Sequence, residues 1–99
     1  MNNPKKFAVA DLPDDSIYKI VTGRHGVFLA NPNDIFIGRA LIRYGEFSEL
    51  EWQVINQLTR PGTAVIEVGA NIGAHTVSIA RKVGPDGVLY AFEPQPVVF

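Results

Sequence analysis

The stretch from Val65 to Pro94, VIEVGANIGAHTVSIARKVGPDGVLYAFEP, constrains the fold more than any other part of the chain. Ala64-Val65-Ile66 is a short, β-branched apolar run without polar alternation, the pattern of a central strand covered on both faces. A carboxylate inside such a core is costly unless paired. Glu67 is therefore expected at the carboxyl edge of the sheet, where open α/β sheets bind ligands. Gly69-Ala70-Asn71-Ile72-Gly73 follows. Its first glycine can adopt backbone angles closed to other residues, and its second lets the next helix approach strand or ligand closely. Helical periodicity is read through Ile72, Val77, Ile79, Ala80 and Val83, and Gly84-Pro85 ends it. The unpaired N–H groups of that helix's first turn are expected to face the same edge as Glu67.

After the Pro85-Asp86-Gly87 turn, Val88-Leu89-Tyr90-Ala91-Phe92 reads as a second strand ending on Glu93, and Pro94 stops it. A strand–helix–strand connection of this length is right-handed as a rule, which makes the strands parallel and brings both carboxylates to one edge.

Two cofactor classes use such an edge. A dinucleotide site carries G-x-G-x-x-G and offers its pyrophosphate a helix N-terminus free of negative charge. Here the loop reads G-A-N-I-G, with Asn71 in place of the central glycine and Glu67 just before it. Those details disfavour a nicotinamide dinucleotide. They suit an amino acid joined to a nucleoside: Glu67 faces the ammonium and the helix N-terminus receives the carboxylate. Glu93 accepts from the ribose hydroxyls, as acidic residues do at the end of the second strand in nucleotide-binding sheets. The ligand that fits is S-adenosylmethionine.

E-V-G-A-N-I-G-A-H-T followed by Y-A-F-E-P-Q-P at this spacing resembles the FkbM-type S-adenosylmethionine-dependent methyltransferases. The resemblance continues upstream through Gly26-Val27-Phe28, Asn31-Pro32-Asn33-Asp34 and Tyr44-Gly45-Glu46, covering the chain from about Ile17 onward. It implies a Rossmann-like class I methyltransferase fold and methylation of a hydroxyl on a sugar or polyketide-like small molecule. By the same resemblance Glu67, Gly69, Asn71, Gly73 and Glu93 match cofactor-contacting positions, and Tyr44 and Glu46 belong to a segment packed over the cofactor. No catalytic residue is assigned.

At 99 residues the chain falls in the range of one small domain, and 46% hydrophobic with 19% charged residues is a globular composition. A doubly wound fold needs two βαβαβ halves. The expectation is thus an N-terminal portion of a larger enzyme, its sheet stopping after the second nucleotide-binding strand. Residues 1–62 are read as a hairpin and helical segment, and residues 63–99 as the first βαβ unit of the cofactor domain. Two parallel strands make a poor stand-alone sheet, so self-association or a partner chain is expected at its exposed edges. A non-catalytic module that recruits a partner through such an edge is the alternative function.

Net charge is −1 without a basic run, which gives nothing for nucleic acid or an anionic membrane to bind. With no cysteine, disulfides and cysteine-rich zinc sites are excluded. The segment MNNPKKFAVADLPDD lacks the apolar core of a secretory leader, and no apolar run is long enough to span a bilayer. Cytoplasm is the default location.

Upstream, Ile17 to Thr22 and Val27 to Ala30 flank Gly23-Arg24-His25-Gly26 and read as a β-hairpin. Asp34 is placed to cap a short helix over Ile35 to Arg43. Ser48 and Glu51 spell a capping box, with Phe47 and Trp52 as its hydrophobic staple. Leu50, Val54, Ile55 and Leu58 form the apolar face of that second helix. Phe7, Phe28, Phe36, Phe47 and Trp52 are read as core or staple, His25 as a turn residue, His75 as exposed or locally bonded, and Glu51 as a capping residue without chemistry.

Overall fold

The computed structural model describes residues 12, 16–96 and 98. Phe7 and the N-terminal segment read above lie outside the described residues. The elements are β1 (Lys19–Thr22), β2 (Val27–Ala30), α1 (Ile37–Tyr44), α2 (Glu49–Leu58), β3 (Ala64–Val68), α3 (Thr76–Val83) and β4 (Val88–Phe92). They make an α/β chain with two separate two-stranded sheets: β1 runs antiparallel to β2, and β3 parallel to β4.

The hairpin forms as its sequence demands. Lys19 pairs with Ala30 and Thr22 with Val27, and the turn closes through the Gly23 N–H to the Gly26 carbonyl at 2.8 Å. Alternation along β2 buries Phe28 and Ala30 and leaves Val27 and Leu29 outside. Leu41 of α1, buried to 1% exposure, completes this first core cluster. Asp34 does cap α1, its Oδ1 accepting the N–H groups of Phe36 and Ile37 at 3.1 and 3.2 Å. The resulting Asx turn occupies Ile35 and Phe36, so the helix starts two residues later than predicted. Phe36 is consequently exposed and not core. At Gly38 a side chain would collide with the Asn31 carbonyl, which lets α1 close against the turn before it.

Three expectations for α2 are corrected. Ser48 has a left-handed backbone at φ 51, whereas a capping side chain needs extended angles. Its hydroxyl donates to Glu51 Oε2 at 3.2 Å, and no capping box forms. The staple is absent as well, because Phe47 packs on the first cluster and Trp52 anchors a second with Ile79 and Val83. Third, the inward face carries Trp52 and Ile55, while Leu50, Val54 and Leu58 are exposed. Both stripes have helical spacing; the indole offers the larger apolar area to bury, and that decides the rotation.

In the second sheet the register runs from Ala64 opposite Val88 to Val68 opposite Phe92. Val65 and Leu89 pack against the cluster of Trp52, Ile79 and Val83. The opposite face, with Ile66, Val68, Val88, Tyr90 and Phe92, is exposed. The expectation of a strand covered on both faces is therefore met on one face only among the described residues. The helix after the glycine loop also begins later than its periodicity suggested. Asn71 and Gly73 have φ of 53 and 90, and the backbone from Asn71 to His75 is turn, not helix. Ile72 keeps an apolar role, packing with Val77 on the first cluster.

Through α3 the two segments share their interior. Val77 belongs to the hairpin's cluster, Ile79 and Val83 to that of Trp52, and Arg81 Nη1 donates to the His25 carbonyl at 3.0 Å.

Candidate functional site

The glycine loop folds back over the carboxyl end of β4. Gly69 and Ala70 donate their N–H groups to the Phe92 carbonyl at 2.8 and 3.0 Å, and Asn71 donates its N–H to Glu93 Oε1 at 3.1 Å. The other carboxylate oxygen, Glu93 Oε2, accepts the Gln95 N–H at 3.0 Å. Glu93 thus ties strand end to loop. Each oxygen retains acceptor capacity beyond these bonds, since a carboxylate offers about four lone-pair sites.

Gly69 owes its identity to its φ of 83, because a Cβ added there would meet nothing within 4 Å. Asn71 takes the left-handed region that asparagine tolerates better than most residues. Gly73 passes its N–H to the Ala70 carbonyl at 3.0 Å and accepts from Val77 N–H at 3.2 Å. Most of the loop's donors are thereby engaged internally. The N–H groups of Ile72, Ala74, His75 and Thr76 have no backbone partner among the described residues, and these are the donors left for an anion. The first turn of α3 contains no acidic residue of its own, although the Glu67 carboxylate reaches Thr76 at its start.

Glu67 lies within β3 opposite Ala91, one residue before the strand ends, and is half-buried on the α3 side. The Thr76 hydroxyl donates to its Oε1 at 2.5 Å. This bond offsets part of the desolvation that the sequence reading assigned to an unpaired glutamate. Thr76 is a site residue that sequence reasoning missed. Its position at the first turn of α3 was legible only if the helix start had been placed correctly.

A cleft of about 190 Å³ opens beside this edge, lined by Glu67, Gly69, Ala70, Asn71 and His75 with Ile37, Phe47 and Glu51 from the preceding segment. It brings together three of the predicted positions: Glu67, Gly69 and Asn71. Gly73 and Glu93 sit in the same loop-and-edge structure but do not line this cleft. Tyr44 and Glu46 lie elsewhere. Tyr44 is exposed with the Arg43 guanidinium over its ring, and Glu46 pairs with Arg24 at 2.9 Å. That bond, reinforced by Glu49, holds the Arg24 guanidinium above its ordinary pKa and so fully charged.

Two histidines differ from their sequence reading. His25 is more than a turn residue: Nε2 stands 2.8 Å from Glu49 Oε2, and its ring meets Trp52 edge-on at 5.6 Å. His75 is nearly buried in the cleft wall, with Nε2 3.2 Å from Glu51 Oε1 but off-line for a hydrogen bond. Glu51 thus lines the cleft while its other oxygen accepts the Ser48 hydroxyl.

No helix among the described residues is long and apolar enough to cross a membrane, and no group of three or more His, Cys, Asp or Glu side chains among them is placed to hold a metal ion. No protein-family model, curated protein or solved structure matches the chain.

Proposed function

We propose that the carboxyl edge of β3 and β4 holds S-adenosylmethionine and that the chain serves methyl transfer to a hydroxyl of a small molecule. The observation that carries this reading is that one glycine loop is held between two carboxylates, Glu67 near the end of β3 and Glu93 just after β4. The fit is good at one end of the ligand. Glu67 supplies negative charge for an ammonium inside the cleft, and Ala74 and His75, which line it with their N–H groups free of backbone partners, supply donors for the α-carboxylate. Glu93 has acceptor sites left for ribose hydroxyls beyond its two backbone bonds. A cleft of about 190 Å³ accommodates the amino-acid end alone, since whole-ligand sites run to about 300–1,000 Å³.

When bound, the cofactor supplies a methyl group on a sulfonium, already an excellent leaving group. The protein's task is alignment, worth up to about 10 kcal/mol in well-oriented systems. The same wall carries His75 and Glu51, with Nε2 and Oε1 3.2 Å apart. A second reading, a non-catalytic module that associates through its sheet, draws on the exposed outer face of β3 and β4.

Ligand competition tests the first reading. In saturation-transfer NMR on the full chain, S-adenosylhomocysteine should give contacts that NAD does not displace. Contacts from NAD and none from the adenosyl amino acid would replace methyl transfer with dinucleotide chemistry.

A further inference from the structure

A second cleft, of about 440 Å³, lies on the other side of α2 and α3 and is lined by Arg24, His25, Trp52, Ser78, Arg81 and Lys82. We infer that it binds a phosphoryl group carried on a small molecule, a function separate from the methyl-transfer site and independent of that reading.

Three cations border the cleft and no carboxylate lines it. Arg81 is fixed by donating one N–H to the His25 carbonyl at 3.0 Å, which leaves the rest of its fork available. Neither Arg81 nor Lys82 has a carboxylate within ion-pairing distance among the described residues. Arg24 is oriented by Glu46 and Glu49 at 2.9 and 3.7 Å, and only part of its fork is used.

Ser78 of α3 also lines the cleft. It is 3% exposed, and its Oγ has no hydrogen-bond partner. A helical serine ordinarily returns its hydroxyl to the carbonyl one turn back, and a buried hydroxyl without any partner is uncommon. The Oγ is closed to solvent as the cleft stands, so recognition of the phosphoryl group rests on the three cations.

The donor set matches a tetrahedral dianion better than a carboxylate. Guanidinium forks engage phosphoryl oxygens in pairs, and the ammonium of Lys82 adds a point charge. The size of the cleft is that of a small-molecule site, about 300–1,000 Å³. A polyanion is disfavoured by the chain's net charge of −1.

Trp52 is the one tryptophan of the chain and lines the cleft, so its fluorescence reports on occupancy. The full chain is titrated at constant ionic strength with inorganic phosphate, a sugar monophosphate and a nucleoside diphosphate, with chloride as the matched salt. A saturable change with a phosphate compound but not with chloride is expected, and the tightest arm identifies the source of the group. Arg81→Gln and Lys82→Gln should each weaken that binding by about tenfold. Lys82 makes no ion pair among the described residues, so its variant should keep the wild-type circular dichroism even if Arg81→Gln loosens the hairpin contact. A response shared by chloride, no saturable response at all, or affinity undiminished in Lys82→Gln would overturn the proposal.

Discussion

Glu93 engages both carboxylate oxygens with backbone N–H groups, those of Asn71 and Gln95, before any ligand is considered. Removing it leaves two donors without their charged acceptor. Both bonds are exposed and water can take up the freed donors, so Glu93→Ala is predicted to cost about 0.5–1.5 kcal/mol of stability, read as a lower midpoint in urea denaturation. Glu67 and Thr76 form a similar unit on the buried side. Thr76→Val keeps the shape and deletes the donor, and should cost about 1 kcal/mol by the same measurement. Gly69→Ala separates conformation from space: nothing lies within 4 Å of the added methyl, so a loss of about 1 kcal/mol would come from the φ of 83 alone. Both strand-end glutamates and the glycine loop were legible because each is defined by residues adjacent in sequence. Thr76 and the Glu51–His75 pair were not, since they depend on where a helix starts and on which face of α2 turns inward.

At the scale of elements, every predicted strand and helix exists, and the differences concern ends and faces. Hairpin alternation and the glycine-punctuated unit carry their own geometry, so local pattern was enough. For α2, two apolar stripes compete on one helix, and only the packing of Trp52 against α3 decides between them. The capping box failed for a related reason: S-x-x-E specifies side chains, while the left-handed backbone of Ser48 is set by the connection from α1. In the first cluster Leu41 is the largest side chain enclosed almost completely. Leu41→Ala should cost about 2–5 kcal/mol, enough in a chain of this size to be seen as loss of cooperative thermal melting by circular dichroism.

For the whole molecule, the outer face of β3 and β4 presents Ile66, Val68, Val88, Tyr90 and Phe92 to solvent, beside strand edges that no other strand among the described residues pairs with. Such a face favours association. Sedimentation velocity should show concentration-dependent assembly, and Val68→Glu should shift it toward the monomer; a wild-type chain monomeric at all concentrations would contradict this. The sequence had pointed to two parallel strands in need of neighbours, but it could not say which face α3 would leave open. Binding of the amino-acid end of an adenosyl ligand at this edge is measurable by calorimetry. S-adenosylhomocysteine should bind near micromolar, about −8 kcal/mol. Glu67→Gln, which keeps an acceptor for Thr76 but loses the charge, should weaken it about tenfold, leaving 5′-methylthioadenosine, which lacks the amino acid, unaffected. No heat from a chain folded by circular dichroism, or equal affinity in the Glu67→Gln variant, would contradict the account.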